Sequence, residues 1–282
     1  MATDSWSQRS DPRDETGSVH LSLLGGFALR SGSQNVPLVH GAERLLAFLA
    51  LHGSWARRNY VAGTLWGDTS EEHAHANLRS ALWRLRAVVQ HVVDAAHDEL
   101  RLAPAVDVDV QRSSAVARSF LAGHFDVVSG DLSDASLWQE LLPGWYEGWV
   151  ILEREHHSQL VLFALEALSE HCTSVGRIDA AVLAALAAVE REPLRESAQR
   201  ALISAYIEDG NVAEAMRRLR MYEQLLWDEL GIYPSAKITA VFEGISGLRA
   251  LHLTGGACGR GSPSGRDALP EVRWRVPGLV LD

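Results

Sequence analysis

Apolar positions along the chain follow two different periods. His20 to Leu29 (HLSLLGGFAL) and Asn35 to Val39 carry strand-like apolar character around the turn residues Ser31, Gly32 and Ser33, which predicts a small antiparallel sheet. The spacing then becomes helical. Ala42 to His52 places Leu45, Leu46, Phe48 and Leu49 together and closes at Gly53, a residue suited to a left-handed C-cap. Arg58 to Trp66 predicts a shorter helix with Val61, Ala62, Leu65 and Trp66 as its apolar side, ending at Gly67. Thr69, Ser70, Glu71 and Glu72 fit a capping box with Thr69 as the cap. They open a third helix, Glu71 to Val89, in which Ala74, Leu78, Ala81, Leu85 and Val88 fall on one stripe. Glu99 to Ala103 (ELRLA) and Ala105 to Val110 (AVDVDV) alternate around Pro104, which predicts a hairpin that would serve as a wing.

The far side of the third helix carries the candidate chemistry. At about 100° per residue it consists of Ala76, Arg79, Ser80 and Trp83, flanked by Asn77 and Arg84 on one edge and Arg86 on the other. Every charge from Arg79 to Arg86 is positive. Small Ala76 and Ser80 permit close approach to a major groove, and arginines donate to guanine edges or phosphates. Periodicity alone gives equal weight to an ordinary solvated basic face. Trp83 is an odd choice for a merely solvated position, although it could equally pack on the wing or on a partner. Arg101, the one cation in the predicted hairpin, is the candidate minor-groove or phosphate contact.

From Leu160 to Leu230 the pattern is continuously helical and repeats every 34 residues: Leu168, Gly176 and Ala181 map onto Leu202, Gly210 and Ala215. This is the tetratricopeptide period, and Pro193 closes the first unit. Stacked units of this kind present a surface for protein contact. The plainer alternative is that these helices dimerise the chain or pack on the first domain. The fold class expected is mainly α with small β elements, an N-terminal winged helix-turn-helix followed by an all-α tetratricopeptide-like domain.

Length and composition divide this picture into parts. At 282 residues and 47% hydrophobic content, two cores are expected, a winged helix over 18–111 and a helical domain over 112–247. Residues 1–17 are polar, and 248–282 include the Gly- and Ser-rich run Gly255 to Gly265, so both ends are expected to be largely disordered. No apolar run approaches a membrane span, and Cys172 and Cys258 suggest no disulfide framework, so a cytoplasmic protein is expected. The net charge of -10 argues against nonspecific coating of nucleic acid, so DNA binding would have to be local. Twelve histidines raise a metal reading. It is set aside: His73 and His75 diverge on a helix, His156 and His157 are adjacent and diverge likewise, and Asp107 and Asp109 share a strand face without further ligands. Neither a metal site nor an enzyme is expected.

Four passages carry a family resemblance: TLWGD (Thr64 to Asp68), ANLRSALWRLR (Ala76 to Arg86), LLPGWYEGWVILERE (Leu141 to Glu155) and DELGIYPS (Asp228 to Ser235). In that order and spacing the chain resembles the Streptomyces antibiotic regulatory protein (SARP) family, which joins an OmpR-like winged helix to a bacterial transcriptional activator domain (BTAD). The resemblance implies a transcriptional activator that binds direct repeats in promoter DNA as a tandem pair or homodimer. It implies recruitment of RNA polymerase and its sigma subunit, and control of an antibiotic biosynthesis cluster. It implies that Arg79, Ser80, Trp83, Arg84 and Arg86 touch bases or phosphate, with Asn77 on the edge of the same face as a further DNA-contact candidate, and that the turn Gly67, Asp68, Thr69, Ser70 meets polymerase. Two departures stand out: Arg57 where relatives cap the second helix with Ser or Thr, and a wing without the usual Gly-Tyr-Arg-like tip. No G-x-x-x-x-G-K-[ST] loop occurs, so no cofactor and no ATP dependence are expected. A tetratricopeptide-type adaptor and a ligand-sensing regulator stand as the alternatives.

Overall fold

The computed structural model describes residues 18–89, 91–125 and 138–242. The expected disorder of 1–17 and 248–282 concerns residues outside these. The N-terminal strands are β1 (Val19–Ser22), β2 (Ala28–Ser31) and β3 (Gln34–Asn35). Gly25 and Gly26 (φ 73° and 139°) break the apolar run of His20 to Leu29 into two strands. β1 and β2 pair antiparallel with Leu21 opposite Leu29, and Gly32 at φ 57° turns the chain into β3.

Next come α1 (His40–His52), β4 (Ala56–Arg57), α2 (Arg58–Leu65) and α3 (Glu71–Val88). Then follow β5 (Val93–Ala96), β6 (Glu99–Leu102) and β7 (Val106–Val108). Gly53 takes the left-handed conformation (φ 69°) and donates to the Leu49 carbonyl, as the spacing predicts. The cap of α3, however, is Ser70 and not Thr69. The Ser70 hydroxyl accepts from the His73 N–H, while Thr69 Oγ1 donates to the Trp66 carbonyl at 2.9 Å and finishes the end of α2.

The wing differs from the predicted hairpin. β6 pairs with β5 and β4, in the order β4-β6-β5, whereas β7 leaves for the N-terminal sheet and runs parallel to β1, completing the order β3-β2-β1-β7. Alternation alone does not say which strand is the neighbour. The turn joining β5 to β6, His97-Asp98, lacks the Asn-Gly chemistry that marks a tight hairpin, and His97 takes φ 50° without it. Pro104 lies in the turn that carries the chain out of the wing, closed by the Val106 N–H on the Ala103 carbonyl.

One core fills this half. Leu78 and Leu85 of α3 are buried with Leu45, Leu46 and Leu49 of α1, Val61 and Leu65 of α2, and Leu100 of the wing. The stripe of α3 departs from expectation at its end, where Val88 is 54% exposed and Leu82 and Val89 are buried in its place. The strict four-three spacing from Ala74 to Val88 drifts off a 3.6-residue helix over about four turns. Leu141, Leu142 and Val150 also enter this core from far along the chain.

The rest is helical: α4 (Asp109–Leu121), α5 (Gly148–Ser174), α6 (Ile178–Arg191), α7 (Glu196–Glu208), α8 (Val212–Leu230) and the short α9 (Ala236–Thr239). Each of α4 to α7 packs on the next in sequence. The 34-residue repeat has its physical counterpart here. Gly176 and Gly210, at φ 77° and 75°, end α5 and α7, while Leu168 and Ala181 are buried together between α5 and α6, Leu202 is buried against those two helices and Ala215 between α7 and α8. Tyr222 fixes the second pair by donating to the Leu194 carbonyl at 3.0 Å.

Polar groups tie the N-terminal sheet together and fix the start of α4 to it. Asp109 is not on an exposed strand face; it starts α4, and its carboxylate accepts from the N–H groups of Leu23 (2.9 Å), Leu24 (3.1 Å) and Val110 (2.6 Å). Burial holds its pKa above the ordinary value, against the pull of those three donors. Asp107 pairs with His20 Nδ1 at 2.9 Å.

Candidate nucleic-acid interface

The apolar stripe of α3 anchors the helix and thereby fixes which side faces outward. Ala76, Asn77, Arg79, Ser80, Trp83, Arg84 and Arg86 are all exposed, and Trp83 presents 71% of its surface. None of Arg79, Arg84 or Arg86 takes part in an ion pair among the described residues, where seven other arginines do. The carboxylates of α3, Glu71 and Glu72, sit in its first turn, where they complement the helix dipole and leave the basic part clear. The result is a band of cationic side chains around small ones, the arrangement that suits close approach to phosphate and base edges.

Arg101 lies on β6 in the wing but is already engaged. Its Nε and a terminal nitrogen donate to Asp94 Oδ2 at 3.0 and 2.9 Å, and its guanidinium lies 4.5 Å from the centre of the Trp55 ring. Two of its donors are thus committed within the wing.

A second cationic element was not singled out by sequence reasoning. Arg57 and Arg58 lie where β4 passes into α2, Arg57 exposed and Arg58 half-buried, and neither is in an ion pair among the described residues. The Arg58 N–H donates to the Asp98 carbonyl at 2.8 Å, which docks the start of α2 against the tip of the wing. The signal was present in the pair of adjacent arginines, but Arg57 reads first as a poor helix cap. Tyr60, one turn further on and exposed, leans on Phe48 and His52.

The turn between α2 and α3 exposes Gly67, Asp68, Thr69 and Ser70. Gly67 has a packing reason to be glycine: a Cβ there would lie 2.7 Å from the Gly63 carbonyl oxygen, a backbone atom that cannot step aside. The turn is therefore tight against α2, with Asp68 at its exposed apex.

Other chemistries find little support among the described residues. No group of three His, Cys, Asp or Glu side chains could hold a metal ion. His73 instead bonds Ser70 Oγ at 2.7 Å, and His75 lies 3.9 Å from Glu71. No described helix is long and apolar enough to cross a membrane.

Comparison with known proteins bears on this geometry. The family model described as "Bacterial transcriptional activator domain" matches residues 106–246, half of the chain. No curated protein sequence matches significantly. Among solved structures, the fold is similar to Mycobacterium tuberculosis EmbR in complex with a low-affinity phosphopeptide. That likeness has a TM-score of 0.60 and 22% identity over 80% of this chain, which spans 64% of the EmbR chain. The matched region contains the passages Leu141 to Glu155 and Asp228 to Ser235, and with them the chain belongs to the bacterial transcriptional activator domain family.

Proposed function

We propose that the protein is a sequence-specific DNA-binding activator, with the winged helix over 18–111 as its DNA-reading unit and the helical domain over 112–247 as a surface for protein contact. The observation that carries the reading is the outward face of α3, whose arginines are exposed and, among the described residues, in no ion pair, while its opposite face is locked into the core. In this reading α3 enters the major groove, Arg79, Arg84 and Arg86 take bases or phosphates, and Asn77, Ser80 and Trp83 complete the surface. Arg57 and Arg58 add phosphate contacts beside the wing. Arg101 stiffens the wing through Asp94 and Trp55 while keeping its remaining donors for the backbone. The exposed turn from Gly67 to Ser70 meets RNA polymerase or its sigma subunit, and pairs of molecules occupy direct repeats upstream of an antibiotic biosynthesis cluster.

Two measurements test this. Affinity for promoter DNA from the gene's own neighbourhood should fall steeply as salt rises, because each neutralised phosphate releases counterions. An adaptor whose winged helix binds protein would show no such slope and no protected repeat in a footprint. Arg84→Ala should cost about 1 to 3 kcal/mol on the specific site and relax discrimination there, as expected for loss of a bidentate base contact. Equal loss on random duplexes would reassign Arg84 to phosphate, and no loss on either would remove it from the interface.

A further inference from the structure

The seam between the two halves holds a cleft of about 570 Å³ that DNA reading does not use. On one side is Leu141, a member of the winged-helix core. On the other are His157 of α5 and Arg191, the last residue of α6. Trp138 and Ile151 supply a flat ring and an exposed aliphatic surface on its wall. Trp138, Leu141 and Ile151 form its apolar wall, the polar side chains of Glu140, Arg154, Glu155, His157, Ser158 and Arg191 ring the rest, and the volume suits a compact ligand.

Arg191 is the unusual member. Burial strips enough water from its guanidinium to lower its pKa, yet it is in no ion pair among the described residues, and its recorded partner is the Gln139 carbonyl at 3.3 Å. The two carboxylates at the cleft are occupied elsewhere. Glu140 lies 3.2 Å from Arg154, and Glu155 accepts from Gln159 at 2.9 Å. His157 provides a second, independent sign. It is only 6% exposed and uses one ring nitrogen, Nε2, on Ser113 Oγ at 3.1 Å, while Nδ1 has no hydrogen-bond partner among the described residues. A half-buried guanidinium in no ion pair among the described residues, where the Glu140 charge acts on it only from beyond ion-pair distance, and a buried imidazole whose second nitrogen is unbonded among those residues are groups that an incoming carboxylate would complete.

We propose that this cleft binds a small monocarboxylic acid, its carboxylate on Arg191 and its apolar or aromatic body against Trp138, Leu141 and Ile151. An arginine fork matches a carboxylate in two parallel hydrogen bonds, and the body displaces water from the apolar wall. Because the walls belong to both halves of the molecule, occupancy ties the winged helix to the helical domain.

The test is calorimetric titration of the full chain, without DNA, with benzoate, hexanoate, benzamide and inorganic phosphate, alongside the thermal midpoint with each. One or both acids should bind and raise the midpoint, and benzamide should bind about tenfold or more weakly, the loss expected when a charge-assisted fork is removed. Arg191→Gln should lose binding to a similar degree, and Trp83→Ala on the reading helix should not change it. Ile151→Glu, at a half-exposed position, should also abolish binding by placing a competing carboxylate at the wall. It serves if Arg191→Gln does not fold. The proposal is overturned if neither acid binds better than benzamide, or if folded Arg191→Gln or Ile151→Glu binds like the parent. Phosphate binding as tightly as the acids would mark a bare anion site and overturn the apolar half. None of these outcomes depends on whether α3 reads DNA.

Discussion

Arg154→Met is expected to destabilise the protein by about 3 kcal/mol, read as a lowered urea midpoint with an unchanged slope. Arg154 sits on α5 in the helical half, but its side chain serves the other half. Its Nε donates to the Leu141 carbonyl at 2.8 Å, and one terminal nitrogen donates to the Leu142 carbonyl and to the Trp145 carbonyl at 2.8 Å. These carbonyls belong to the segment that plugs Leu141 and Leu142, both essentially inaccessible, into the winged-helix core. Leu142 holds φ 45°, a left-handed conformation that a leucine does not choose by itself, and its N–H donates to the Leu23 carbonyl at 2.8 Å. Removing the guanidinium orphans the Leu141 and Trp145 carbonyls and leaves the Leu142 carbonyl with only the Trp145 N–H at 3.2 Å, loosening a backbone these bonds over-determine. Each orphaned carbonyl would cost about 1 to 3 kcal/mol if sealed from water, and the arginine's 20% exposure lets solvent relieve part of the sum. The ion pair to Glu140 is the minor part, because Glu140 is 57% exposed in its side chain and solvent screens it. Glu140→Gln should therefore cost under about 1 kcal/mol. Arg154→Lys should fall between, since one ammonium cannot span three carbonyls. A fully stable Arg154→Met, or a Glu140→Gln as costly as Arg154→Met, would show that the carbonyl clamp is not what holds the segment.

That clamp also shows what kind of information the sequence withheld. Local periodicity was readable wherever the partner is near in the chain: α1 and its Gly53 cap, α2, the inward residues Ala74, Leu78, Ala81 and Leu85, and the glycines and small residues of the helical repeat all follow from 3.6-residue spacing and turn chemistry. What failed was pairing at a distance. β7 carries the alternation of a wing strand, but its neighbour is β1, more than eighty residues earlier, and nothing in VDV names that partner. Asp109 has the spacing of a polar strand face and instead satisfies two N–H groups at the end of β1. The cap moved from Thr69 to Ser70 because both hydroxyls suit the role, and the end of α2 claims the first. For the candidate interface, phase fixed which residues of α3 face outward, since that follows from burying the other side. It could not foresee that Arg101 is drawn to Asp94 and Trp55, or that the wing tip brings Arg58 alongside, because both depend on contacts between separate elements.

Stability should also fall as the solution is acidified from pH 6.5 to 4, by a total of about 3 kcal/mol that traces to His157. Burial, with the Arg191 charge adding to it, pushes the pKa of His157 down from 6.5 to about 4. The sign follows from proton counting. Between those values the unfolded chain binds a proton at this histidine and the native chain does not, so acid favours unfolding. Above pH 6.5 both states are neutral there and the full stability is present, and below about 4 both are protonated and the loss is complete. The groups around it set the size of the effect. Ser113 of α4 bonds Nε2, Arg191 of α6 opposes a second positive charge, and Glu153 of α5 and Arg118 of α4 line the opening on the other side of His157. Asp109 acts in the opposite direction. Its raised pKa means the native chain takes up that proton first, so acid returns some stability below the folded value and flattens the curve at its lower end. His157→Gln keeps a polar partner for Ser113 but cannot titrate, so urea midpoints measured from pH 7.5 to 4.5 should lose most of their slope in this variant. A slope as steep as the parent's would assign the acid sensitivity to other groups, and a parent that is equally stable at both ends would mean that His157 is not held neutral in the folded protein.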